Sequence, residues 1–140
     1  MKDMMNLITP KRVIAPVSVA DNTPQVGQII DKKGFESLTY LIALGSLADA
    51  DATFTVLLEE SDAANMDGAA AVADADLLGT EVLAGFQFDD DNECRKLGYI
   101  GAKRYTRLTI TPVNNAAASL LSAVAVLGHP QIAPTANPPA

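Results

Sequence analysis

The residues of this 140-residue chain best suited to nucleophilic or metal chemistry are its single histidine, His129, and its single thiol, Cys94. A nucleophile needs an adjacent base and a third group to orient that base, and nothing in the pattern brings these two together with a third polar partner. His129 stands between Gly128 and Pro130 at the end of the last apolar run, where a capping or strand-edge role accounts for it. The four nitrogen or sulfur ligands of a zinc site cannot be drawn from two such residues. A lone cysteine also excludes an intramolecular disulfide, so packing and hydrogen bonds must hold the fold. The expectation is a non-enzyme without catalytic residues, cofactor or metal.

Carboxylates are more numerous. Asp89, Asp90, Asp91 and Glu93 form a run, and Asp49/Asp51 and Asp74/Asp76 form two Asp-Ala-Asp pairs. Hard oxygen ligands in a loop can hold Ca²⁺, but the EF-hand order, D-x-[DN]-x-[DN]-G followed by Glu, is absent. Asp and Asn are the usual residues of tight turns, and solvated turns explain these clusters. Glycoside hydrolysis would need two carboxylates opposed across a cleft. A sugar platform is poorly supplied, with no Trp, three Tyr and four Phe. Gly98 and Gly101 in LGYIGAK lack the phosphate-loop pattern.

Two groups remain as candidate partner contacts. The first is basic: Arg95, Lys96, Lys103, Arg104 and Arg107 cluster in a chain with ten Lys and Arg against seventeen Asp and Glu, a formal charge of −7. If residues 95–100 and 104–111 form a hairpin through Gly101-Ala102-Lys103, these side chains lie together and the acidic stretches fall elsewhere. Opposite charges on separate surfaces favour head-to-tail or ring contacts between copies, and Lys and Arg guarding hairpin edges against aggregation accounts for them equally well. The second group is Asp62, Asn65, Met66 and Asp67, in the Ala- and Asp-rich stretch 61–78. It reads as a long inter-sheet loop with one helical turn, and loops of that length are often where function sits. The net negative field repels polyphosphate, which argues against a nucleic-acid partner.

The elements that must position these residues are strands. Turn residues recur at short intervals, and between them the apolar pattern has period two. Leu38, Tyr40, Ile42 and Leu44 share one face, as do Phe54, Val56 and Leu58, then Val82, Ala84, Phe86 and Phe88, then Thr106, Leu108 and Ile110. Residues 12–19, 26–30, 95–100 and 121–127 complete about eight strands, the last apolar on both faces and therefore central. The fold class that follows is all-β: an antiparallel two-sheet β-sandwich, jelly-roll-like, with flexible N- and C-terminal arms. One domain is expected over residues 12–129, an arm over 1–11 and a Pro-rich tail over 130–140. Residues 1–10 lack the layout of a secretory signal, and no run approaches the ~18 apolar residues of a membrane span. No membrane partner is expected, and synthesis is assigned to the cytoplasm.

The strings IDKKGFESLT (30–39), GSLADADATFTVL (45–57) and GYIGAKRYTRLT (98–109) resemble segments of small virion structural proteins encoded by tailed phages and prophages. The likeness runs over about residues 12–130. It implies a virion protein without catalytic residues, foremost a capsid decoration (cement) protein on the exterior of the shell, made in the host cytoplasm. The implied partners are the major capsid protein and copies of the chain itself, as a homo-oligomer such as a trimer. A head-to-tail connector or tail component is the alternative within the virion, and a carbohydrate-binding adhesion module is the alternative outside it.

Overall fold

The computed structural model describes residues 2–139. In chain order it forms β1 (Ile8–Val19), β2 (Gln25–Val26), β3 (Ile30–Asp31), β4 (Phe35–Leu47), β5 (Thr53–Ser61), β6 (Ala70–Ala71), β7 (Leu77–Leu78), α1 (Glu81–Ala84), β8 (Phe86–Gln87), β9 (Cys94–Tyr99), β10 (Tyr105–Val113) and β11 (Ser119–Pro130). One sheet has the order β1-β11-β4-β9-β7 and the other β2-β10-β5-β6, with β3 added on β10 and β8 on β5. Every pairing is antiparallel. Apart from the short neighbours β2/β3 and β5/β6, each strand hands over to one in the opposite sheet, the alternation of a jelly-roll sandwich. Five of the strands are two residues long, which carries the count past the expected eight.

Alternation places the core. Leu38, Tyr40 and Ile42 of β4 meet Leu97 and Tyr99 of β9 and Leu127, Ala125 and Ala123 of β11 along the inner face. Phe54, Val56 and Leu58 of β5 and Leu108 and Ile110 of β10 form the opposing layer, all buried. The layers are also joined by a polar contact: the Tyr40 hydroxyl lies 2.6 Å from Thr106 Oγ1, with both residues fully buried. Losing this hydrogen bond in Tyr40→Phe is expected to lower stability by about 1 kcal/mol. Burial also pushes the Tyr40 phenol above its ordinary value. A group raised in the folded state contributes stability that is complete below its unfolded value and is lost as pH rises beyond it. Unfolding in urea should therefore become easier above about pH 10, and Tyr40→Phe should flatten that alkaline slope.

Several expectations change. Val82, Ala84, Phe86 and Phe88 are not one strand: Thr80 caps α1 by accepting a 3.0 Å bond from the Leu83 N–H, Gly85 ends the turn, and only Ala84 and Phe86 are buried. β9 and β10 are not a hairpin. β9 lies between β4 and β7 in one sheet, and β10 lies beside β5 in the other, so residues 100–104 cross the sandwich. The expected strand 26–30 divides at Gly27, whose N–H donates to Leu108 O (2.7 Å) while Gln28 N–H donates to Val13 O (2.9 Å). This segment bridges β10 to β1, and a Cβ at Gly27 would stand 2.6 Å from both Leu108 O and Val13 Cγ1, so only glycine fits.

Both ends bond back onto the sandwich. Pairing of β1 begins at Ile8, opposite Gly128, four residues before the expected start. The Pro-rich tail folds back over it: Gln131 N–H donates to Gly34 O, Thr135 N–H to Asn6 O (2.9 Å each), and the Thr135 hydroxyl to Ile8 O (2.7 Å). These donors lie between the prolines, which themselves have none to offer. Met1 and Ala140, the outermost residues of the two arms, lie outside the described residues.

Candidate interaction surface

The loop after β5 is built by short polar side chains bonding to nearby backbone. The Ser61 hydroxyl donates to Asp67 O (2.6 Å) and accepts from Ala63 N–H (3.0 Å), and Asn65 Oδ1 accepts from Asp67 N–H (3.0 Å). Residues Glu60, Ser61, Asp62, Asp67, Gly68 and Lys103 surround a shallow hollow of about 430 Å³. Of the expected contacts, Asp62, Asp67 and Lys103 therefore do come together, with Lys103 Nζ 2.6 Å from Asp62 Oδ2. Beside them the Tyr99 phenol donates to Glu60 Oε2 (2.6 Å) and accepts from Lys103 N–H (3.0 Å). Met66 is a correction: it is buried, so it anchors the loop from within and offers no contact surface. Beyond the loop the chain pairs back on β5 as β6 and then crosses to the other sheet as β7, the inter-sheet passage expected of it.

The basic group does not assemble as expected. Arg95 and Lys96 lie on β9, and Arg104 and Arg107 lie on or beside β10 in the opposite sheet. Each but Lys96 also holds an acid of its own. Arg95 reaches Asp90 (3.0 Å) and Glu93 (2.6 Å), Arg107 reaches Glu59 (3.2 Å), and Arg104 makes two 2.9 Å bonds to Asp31. The Arg104 hydrogen bonds hold the Asp31 carboxyl below its ordinary value, and the Asp62 carboxylate raises the Lys103 ammonium. Solvent screening keeps the stabilisation from the more exposed of these pairs small. Their larger effect is to cancel the separation into one basic and one acidic surface. Lys96 alone of the group is exposed with no acidic partner among the described residues.

The carboxylate clusters are occupied in turns. Asp49 accepts from Asp51 N–H (2.9 Å) and Ala116 N–H (2.7 Å), Asp90 from Gln87 N–H (2.8 Å), and Asp91 from Leu47 N–H (3.0 Å). Those backbone donors keep the Asp49 carboxyl below its ordinary value. Among the described residues no three His, Cys, Asp or Glu side chains are grouped to hold a metal ion. His129 adopts a positive φ of 50° and its Nδ1 lies 2.9 Å from Ser37 Oγ, tying the end of β11 to β4. Cys94 stands opposite Ala43, six residues along β4 from Ser37 and so about 20 Å away at ~3.3 Å per residue.

Sequence reasoning missed the outer face of the five-stranded sheet. Across it, Arg12, Val124, Leu41 and Lys96 form one cross-strand row. Leu41 is 38% exposed, Val124 40%, Leu120 43% and Leu78 57%. The face is bounded at one end by a hollow of about 780 Å³ beside Met4, Leu7, Thr39, Val126 and His129, and at the other by one of about 380 Å³ beside Pro16, Ala43, Gly45 and Leu120. The signal for it was the run 121–127, apolar on both faces. β11 is central within its sheet, but only one of its faces is covered. Most aromatic rings, by contrast, are inside: Phe54 stacks on Phe86, and Tyr40 and Tyr99 are buried.

No family model matches the chain, and no curated protein matches it in sequence. Among solved structures it is similar to a Yersinia pseudotuberculosis-derived mitogen, at 14% identity over 86% of this chain and 87% of that one, with a TM-score of 0.45. It is similar to the xylan-binding module CBM15 at 9% identity over 93% and 95% of the two chains, TM-score 0.46. It is also similar to the SPBc2 prophage-derived protein YomS at 13% identity over 84% and 94%, TM-score 0.42. These likenesses concern the all-β fold alone.

Proposed function

We propose that this chain is a structural protein of a tailed-phage or prophage virion, and specifically a decoration protein that binds the outside of the major capsid shell and braces it. The reading starts from the three sequence segments that resemble such proteins, which form β3 to β4, β4 to β5 and β9 to β10, the frame of both sheets. The observation that carries it is the broad outer face around Leu41 and Val124, exposed on a rigid two-layer body whose aromatic rings mostly point inward. Such a face suits burial against another protein better than enclosure of a small ligand. On a shell the effect is multiplied, because a modest contact is repeated at every symmetry-related site.

Copy number tests this reading. Quantitative mass spectrometry of purified virions should find this chain in hundreds of copies, on the order of the shell protein itself, and particles lacking it should release DNA at lower temperature. About a dozen copies would instead mark a ring around the portal axis, the connector reading. Absence from the particle would overturn both.

A further inference from the structure

The outer face of the five-stranded sheet carries a charge pattern unlike the rest of the chain. Its apolar centre is the cross-strand pair Leu41 and Val124, extended by Leu120 and Leu78. The charged residues at its outward strand positions are Lys96 at one side of that pair and Arg12 at the other. No Asp or Glu occupies an outward strand position there, although the chain has seventeen. Among the described residues Lys96 has no acidic partner, and the Arg12 guanidinium bonds to the amide oxygen of Gln28, at 3.3 Å. Asp3 and Glu36, with Lys2, line the hollow at the end of the face beside Thr39 and Val126, away from the Leu41 and Val124 centre. The other expected basic contacts are neutralised by acids of the same chain, whereas the two cations of this face are not seen in ion pairs among the described residues.

We infer that this face is the attachment surface, and that its occupant is a patch of the shell protein with apolar side chains at its middle and carboxylates placed to meet Lys96 and Arg12. This rests on the decoration reading and names the side of the molecule that performs it. Charge complementarity selects the occupant. Two copies of this chain stacked face to face would bring lysine and arginine rims together with no carboxylate between them, and like charges juxtaposed in an interface are strongly unfavourable. An acidic partner converts the same two cations into ion pairs around a desolvated centre, the usual arrangement of apolar core and polar rim.

The experiment uses the full chain added back to purified particles from a strain deleted for it. Lys96→Glu and Leu41→Glu should each reduce occupancy by about tenfold or more, since the first opposes carboxylate to carboxylate and the second puts a charge in the apolar centre. Thr55→Glu, on the outer face of the other sheet, should bind within about twofold of the unchanged protein. Far-ultraviolet circular dichroism and thermal melting of each variant establish that it is folded. Cys94, exposed on the same face, supplies a readout without any substitution: maleimide should label it in the free protein and at least about tenfold more slowly in the bound state. If folded Lys96→Glu and Leu41→Glu variants bind as well as the unchanged chain, or if Cys94 stays fully reactive on the particle, the assignment of this face is wrong while the decoration reading stands. If the unchanged protein does not bind the particles at all, the decoration reading fails and this inference fails with it.

Discussion

Phe54→Ala is expected to lower the unfolding free energy by about 3–5 kcal/mol, the range for removing a buried aromatic ring. Phe54 is 2% exposed on the inner face of β5, and its ring stacks on Phe86 with centroids 4.6 Å apart and planes 12° from parallel. The two residues are also direct partners in the β5 to β8 ladder. β8 is only two residues long, and besides this stack and the buried Ala84 the segment after α1 is tied by Phe88 N–H to Ala52 O (3.1 Å) and by Arg95 Nε to Gly85 O (3.2 Å). A further tether is Glu81, whose Oε1 accepts a 2.7 Å bond from Leu58 N–H. Without the Phe54 ring, Phe86 loses its stacking partner and a cavity is left in the core. Urea unfolding should show the lower midpoint with an unchanged slope, and hydrogen exchange should show the Phe86 and Leu58 amides opening before the rest of the core. Phe54→Leu should recover part of the loss. A shift below about 1 kcal/mol for the alanine variant would mean that the segment 81–88 is not held by this stack.

What the sequence made legible follows from which interactions are local. Period-two alternation located β4, β5 and β10, because a strand half-buried in a sandwich has to alternate whatever it pairs with. The same rule misread residues 82–88. A one-turn helix followed by a two-residue strand also spaces its apolar residues two apart, and Val82 is in fact 88% exposed. Thr80 and Glu81 before that run, with Gly85 closing it, were the cap signals that distinguish the two. The expected β9 to β10 hairpin failed for a different reason. A short connection with a glycine can turn back in one sheet or cross to the other, and the choice is made by non-local bonds such as Lys32 N–H to Arg104 O (2.9 Å) and Lys32 Nζ to Gly101 O (2.8 Å). That single topological difference separated Arg95 and Lys96 from Arg104 and Arg107, so the imagined basic surface went with it. The neutralising acids were visible in the sequence, but not their pairing, since Arg104 and Asp31 are seventy-three positions apart. Lys96 was in the candidate set as one cation among five, and its isolation, the property that matters, is a property of the assembled sheet.

Asn115→Ala is expected to cost about 2–4 kcal/mol, more than its place in a surface-type turn suggests, because it strands several buried polar groups at once. In sequence Asn115 belongs to Val113-Asn114-Asn115, one more turn between strands. In the structure it is 3% exposed. Its Nδ2 donates to Val19 O (3.0 Å) and Asp21 O (3.1 Å), and its Oδ1 accepts from the Ser119 hydroxyl (3.1 Å). Its own N–H donates to Asn22 Oδ1 at 2.8 Å. These bonds clamp the exit of β1 to the connection between β10 and β11, so one side chain fastens that connection to β1 and β11, neighbours in one sheet, at one end of the sandwich. Alanine leaves Val19 O and Ser119 Oγ without their partner, and Ser119 has no access to water to replace it. Asn115→Asp separates the two halves of the argument: it keeps the acceptor for Ser119 but presents oxygens to the Val19 and Asp21 carbonyls, so at neutral pH it should be at least as damaging as alanine. As pH falls and the carboxyl takes a proton it regains one donor, and its stability should rise relative to that of the alanine variant. If Asn115→Asp at neutral pH were instead nearly as stable as the unchanged protein and clearly more stable than Asn115→Ala, the donated bonds to β1 would contribute nothing and the clamp would be held by the Ser119 side alone.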